Sequence, residues 1–228
     1  MISPTNASPW NMICQLMIEF PDDTVPATGW IAGPRCVVTA GHCLLFHNLG
    51  GAANSIVVTP ARNATACPYG KFKASSWAPH DQWRDQSNPD WDLGYIRLEK
   101  PVNIGAFKFS HFEDSYLKNH YVNIAGYPRH VEKYPSANGD HLFHNANRIR
   151  KIGAERLYYD VDATGGQSGA PVWIHKTTGA DPIVIGVHAG SAVPGKPGWG
   201  GRYNSSPRLT KAKCDVIADW CAASAVGA

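Results

Sequence analysis

From residue 12 to residue 188 the chain is written in short apolar or alternating runs, each stopped by a glycine, proline or aspartate turn. Met12–Phe20 ends at Pro21-Asp22-Asp23, Thr28–Ala32 at Gly33-Pro34, and Cys36–Ala40 at Gly41. Ser55–Pro60, Trp91–Leu98, Tyr121–Pro128, Arg156–Asp162, Pro171–His175 and Pro182–His188 repeat the pattern. In Trp91–Leu98 the residues Leu93, Tyr95 and Arg97 fall on one face, with Asp92, Gly94, Ile96 and Leu98 on the other. Evenly spaced short strands of this kind predict an all-β fold, a barrel or a sandwich. The 22 glycines and 17 prolines supply its turns. Residues 62–90 and 129–148 read as loop, 99–110 as the crossing to a second half, and 190–207 as a Gly/Pro/Ser loop. Thr210 is placed to cap a final helix from Lys211 to about Cys221, with Val216, Ile217 and Trp220 on one face.

With 228 residues, 43% of them hydrophobic, the chain can build one large core or two small ones. A net charge of +3 gives no reason to expect nucleic-acid or membrane partners. No long apolar run predicts a transmembrane helix. Met1-Ile2-Ser3-Pro4-Thr5-Asn6 is polar and turn-like rather than a leader, which fits a mature secreted protein and equally a cytosolic one; a secreted protein is expected. The six cysteines, at 14, 36, 43, 67, 214 and 221, lean towards disulfides, with every pairing scheme open. Only Cys214 with Cys221 is disfavoured, since one helix would hold them ~10 Å apart. No Cys-x-x-Cys pair is present, so no structural zinc site is expected, and the His141/His144 spacing suggests no other metal; no cofactor is expected. Asn6, Asn63 and Asn204 each begin an Asn-x-Ser/Thr triplet that could accept a glycan in a secretory pathway.

The chemistry gathers around Asp162-Ala163-Thr164-Gly165-Gly166-Gln167-Ser168-Gly169-Ala170-Pro171. Glycines let a turn aim several amide N–H groups at one anion. Ser168 reads as a nucleophile, with the N–H groups of Gly166 and Ser168 as an oxyanion hole. A serine hydroxyl needs a base, and the base needs a group that fixes its tautomer. His42, directly after the apolar Cys36–Ala40 run, and Asp92, between Trp91 and Leu93, supply the two. The order His…Asp…Ser differs from that of α/β-hydrolases and subtilisins, and Ala170 breaks the Gly-x-Ser-x-Gly elbow.

Three blocks carry a resemblance: Thr39-Ala40-Gly41-His42-Cys43, Trp91-Asp92-Leu93-Gly94 and Gly165-Gly166-Gln167-Ser168-Gly169-Ala170-Pro171. Thr28-Gly29-Trp30, Gly186-Val187-His188 and Arg208-Leu209-Thr210 extend it over roughly residues 10–220. The chain resembles the glutamyl-endopeptidase branch of the chymotrypsin-fold serine proteases. That resemblance implies two six-stranded antiparallel β-barrels and a C-terminal α-helix. Residues 1–105 would carry His42 and Asp92, and residues 106–228 would carry Ser168, the specificity pocket and the helix. It implies a monomeric serine endopeptidase acting on proteins or peptides through an acyl-enzyme. His42 would serve as base and then acid, with Asp92 orienting it. Cleavage would follow Glu, and Asp to a lesser degree, with His188 reading the acidic side chain as an imidazolium helped by Thr164 and Ser191. Asp162, six residues before Ser168, supports the alternative of cleavage after Lys or Arg. A non-catalytic binding protein on the same fold is a second alternative. Gln167 stands where trypsin holds the Asp that pairs with a new N-terminus, so activation by that ion pair is not expected. Ala27 stands where the family often has the cysteine partner of Cys43.

Overall fold

The computed structural model describes residues 1–118, 120–135, 137–177, 179–191 and 203–225. Its first half begins with β1 (Ile13–Glu19), β2 (Thr24–Gly33) and β3 (Cys36–Thr39). The small pair β4 (Leu45–Phe46) and β5 (Gly51–Ala52) follows, then β6 (Ser55–Pro60), β7 (Phe72–Pro79) and β8 (Gly94–Leu98). Six of these close into a barrel in the order β1-β2-β3-β8-β7-β6. The turn at Pro21–Asp23 fixes the register, with the Phe20 N–H donating to the Asp23 carbonyl. Pairing then runs from Glu19 with Thr24 to Ile13 with Trp30. Closure sends Leu16, Trp30, Val38, Val58 and Ile96 inward, all fully buried.

The second half holds β9 (Lys108–Phe109), β10 (Tyr121–Gly126), β11 (Phe143–Ile152), β12 (Arg156–Tyr159), β13 (Pro171–His175), β14 (Pro182–Val187), β15 (Gly190–Ser191) and β16 (Asn204–Pro207). Hydrogen bonding orders them β15-β16-β12-β11-β10-β13-β14-β9. The sheet curls on itself: Gly186 bridges Arg208, and the Leu209 N–H donates to the Ile185 carbonyl. That contact brings β14 back to the end of β16, so six strands form a ring and the short β9 and β15 lie at its margins. The helices are α1 (Asp81–Gln86), α2 (Asp114–Leu117) and α3 (Lys211–Ala225). No helix among the described residues is long and apolar enough to cross a membrane.

Several segments expected as loop are regular. β7 and α1 lie inside 62–90, β11 begins at Phe143, and β16 ends the stretch expected as loop to 207. β11 explains why: Phe143–Ile152 is mostly half-buried or exposed, so its side chains are polar and no apolar alternation marks it. α3 begins as expected, with the Thr210 hydroxyl accepting from the Lys213 N–H. It runs to Ala225, four residues beyond Cys221. It packs on β2, β3 and β8 of the first barrel, with Ile217 fully buried. All six cysteines stand as free thiols. Cys36 in β3 and Cys221 in α3 hydrogen-bond each other.

Candidate active site

β3 ends at Thr39, and the chain turns through a 3-10 turn, Gly41–Cys43, that carries His42. Gly41 is required there, because a Cβ would lie 2.8 Å from the Trp83 ring. Asp92 arrives differently from the strand position read from sequence. It follows the 3-10 turn Pro89–Trp91 and precedes β8. Asp92 is 4% exposed, and its carboxylate grips His42 twice. Oδ1 accepts the His42 backbone N–H at 2.8 Å, and Oδ2 lies 2.8 Å from the ring Nδ1. The first contact fixes the carboxylate against the turn. The second fixes the ring and leaves Nε2 free to point elsewhere. Burial opposes the charged imidazolium, but Asp92, helped by Cys43, outweighs it and holds the His42 pKa well above its ordinary 6.5.

Ser168 stands half-buried in the turn between β12 and β13, lining one cleft with His42 and Gly166. The turn is held from the first barrel by Thr28 of β2. The Thr28 N–H donates to the Ser168 carbonyl at 2.9 Å, and its hydroxyl donates to the Gly166 carbonyl at 2.8 Å. That hydroxyl also accepts the Tyr127 N–H at 2.9 Å. With these carbonyls engaged, the N–H groups of Gly166 and Ser168 have no acceptor among the described residues. Amides left without an acceptor beside a serine are the groups an oxyanion hole needs. Gly166 and Gly169 have φ of +98° and +84°, and Cβ atoms there would lie 2.4 Å from the Tyr127 carbonyl and 2.1 Å from the Thr28 carbonyl. Gln167 is buried and accepts the Thr164 N–H on its side-chain oxygen at 2.9 Å. It therefore braces the turn from inside, the place where an ion pair was not expected.

The expected specificity residues divide. His188 is 1% exposed and its backbone is stitched to the serine turn, donating to the Ala170 carbonyl and accepting from the Gly169 N–H. Its Nδ1 lies 2.9 Å from the Tyr159 hydroxyl. Burial, with the nearby charges of His42 and Arg156, pushes the His188 pKa down to about 3. A pKa that low favours the neutral imidazole unless an acidic group partners the ring. The Thr164 hydroxyl donates to the His130 carbonyl at 3.1 Å, so it is already engaged away from His188. Asp162 is exposed, unlike an acid at the floor of a pocket. Ser191 pairs through β15 with Asn204, and its side chain lies outside the described residues. Among the described residues no group of three His, Cys, Asp or Glu side chains stands where it could hold a metal ion.

Sequence reading missed Tyr159, Arg156 and Thr28. Tyr159 shares a strand face with Leu157, so alternation could have sent it inward towards His188. Arg156 donates to the Ser205 hydroxyl at 2.7 Å and to the Pro89 carbonyl beside Asp92, a long-range contact with no local signal.

The trypsin-like peptidase domain family matches residues 27–187. A glutamyl endopeptidase of Bacillus licheniformis is 31% identical over 224 residues, which cover 96% of this chain and 66% of that protein. A Bacillus subtilis protein named extracellular metalloprotease is 28% identical over the same coverage. The chain thus spans just under two thirds of the length of these relatives. A solved Glu endopeptidase in complex with MPD superposes with a TM-score of 0.82 at 18% identity, covering 97% of this chain and 95% of that one.

Proposed function

The chain belongs to the trypsin-like peptidase domain family, and from that premise we propose that it is a serine endopeptidase working through an acyl-enzyme. The observation that carries the reading is the double grip of Asp92 on His42 at one wall of a cleft whose other wall holds Ser168. Ser168 attacks the carbonyl carbon of the substrate as His42 takes the hydroxyl proton. The oxyanion settles on the N–H groups of Gly166 and Ser168. His42 then returns the proton to the departing amine, and water repeats the sequence to release the acid. Residues 1–105 and 106–228 act as two units, the first bringing His42 and Asp92 and the second Ser168. Substrates are proteins or peptides, the chain works as a monomer, and it acts outside the cell.

Cleavage follows Glu, with Asp second. Support comes from His188, buried beside the serine turn with Tyr159 at its back, and from the named specificity of the B. licheniformis relative. A bound carboxylate would raise the His188 pKa from its low value, so acidic substrates bind with uptake of a proton. Asp162 favours the Lys/Arg alternative less, because it is exposed. A fluorophosphonate probe should label Ser168. Ser168→Ala should abolish labelling and lower kcat on the order of 10⁶-fold. A folded, unlabelled wild type would favour a binding protein instead. A peptide-library profile with equal rates for Glu and Gln before the cut would overturn the acidic pocket.

A further inference from the structure

His42 and Ser168 open onto a cavity of about 270 Å³. Its walls are Phe20, Val25, Ala27, Cys43, Phe46 and Leu49, together with Gly165 and Gly166 of the serine turn. His188 and Thr164, assigned to the acidic side chain, and Asp162, assigned to the Lys/Arg alternative, do not line it. Three of the wall residues, Cys43, Phe46 and Leu49, come from the segment that directly follows His42, and the Phe46 ring lies edge-on to the imidazole at 6.4 Å. His42 must deliver its proton to the departing amine, so the departing half of the substrate lies over this segment.

We propose that the cavity receives the first side chain on the leaving side of the cleaved bond and selects an apolar one, with Phe46 as its main contact. This assignment rests on the proposed peptidase reading. Two features fix the chemistry. Phe46 is 39% exposed, a large apolar surface left uncovered at the lip of the site. Ala27, 4% exposed at the back, leaves room that a longer side chain would fill. The nearby charge, Arg129 at the rim, is exposed and pairs with Asp23, Nη2 to Oδ2 3.7 Å. A carboxylate or ammonium leaving water here would meet mostly apolar walls, whereas an aliphatic or aromatic group gains contact.

The test uses peptides that share one acyl half ending in Glu and carry Leu, Phe, Gly, Asp or Lys after the bond to be cut. A methyl ester of the same acyl half, whose leaving group is only methanol, is the control. Wild type should cleave the Leu and Phe peptides about tenfold or more faster in kcat/KM than the Gly, Asp and Lys peptides. Phe46→Ala should flatten that preference and lower peptide cleavage far more than ester hydrolysis. Ala27→Leu should lower only the rates for Leu and Phe. A flat wild-type profile would overturn the assignment while leaving the peptidase reading intact, as would equal loss on peptide and ester in Phe46→Ala. Failure of wild type on both peptide and ester would overturn the peptidase reading and this site with it.

Discussion

At the scale of single residues, the double contact between Asp92 and His42 sets a pH dependence whose sign is fixed. The base must be neutral to take the Ser168 proton, so kcat/KM should fall as pH drops through the raised His42 pKa. Asp92→Asn should move that limb to lower pH and cut kcat on the order of 10⁴-fold, measured as a pH–rate profile of both proteins. The same group affects folding in the opposite sense. A histidine whose folded pKa is raised adds stability that is full below its unfolded value of about 6.5, lost as pH rises through the folded one. Urea midpoints of wild type and Asp92→Asn should therefore differ most in acid and converge in alkali. This part of the site was readable from the chain alone, because His42, Asp92 and Ser168 each sit in a short local pattern. His188 was readable as a position but not as a protonation state, since its neutrality comes from burial and from charges distant in sequence.

At the scale of elements, strands that face two apolar surroundings announced themselves and strands that face water did not. Pro182–Val187 is buried at five of its six positions and reads at once as a strand. Phe143–Ile152 is buried only at Ile149, and its His-Asn-Ala-Asn-Arg run carries no signal beyond polarity. Backbone hydrogen bonds to β10 and β12 make it a strand, and those depend on partners that a local reading cannot see. α3 was visible from its Thr210 cap and its apolar side, but not its destination on the first barrel. That packing gives a quantitative expectation. Ile217 is fully buried between α3 and the barrel, so Ile217→Ala should cost about 2–5 kcal/mol in chemical unfolding. A change below 1 kcal/mol would mean that the helix is only loosely attached.

At the scale of the whole molecule, Thr28 is the most economical contact between the halves. One side chain in β2 donates to the Gly166 carbonyl and accepts from the Tyr127 N–H, while its backbone N–H holds the Ser168 carbonyl. Thr28→Val keeps the shape but strands both hydroxyl partners. It should lower stability by about 1–3 kcal/mol and reduce kcat more than it raises KM. Thr28→Ser should restore both, as followed by urea unfolding and steady-state kinetics. A second tie runs through Lys213 of α3, fully buried, whose Nζ lies 2.5 Å from Glu155 Oε2 of the second half and 5.1 Å from the Trp91 ring centroid of the first. Because α3 covers β2, β3 and β8 yet comes after β16 in the chain, a ribosome must finish the serine-bearing half before the earlier barrel can be sealed. Throughout that interval the groove meant for Ile217 and Cys221 is bare, and a newborn chain stalled before residue 211 would expose that apolar surface to whatever lies nearby.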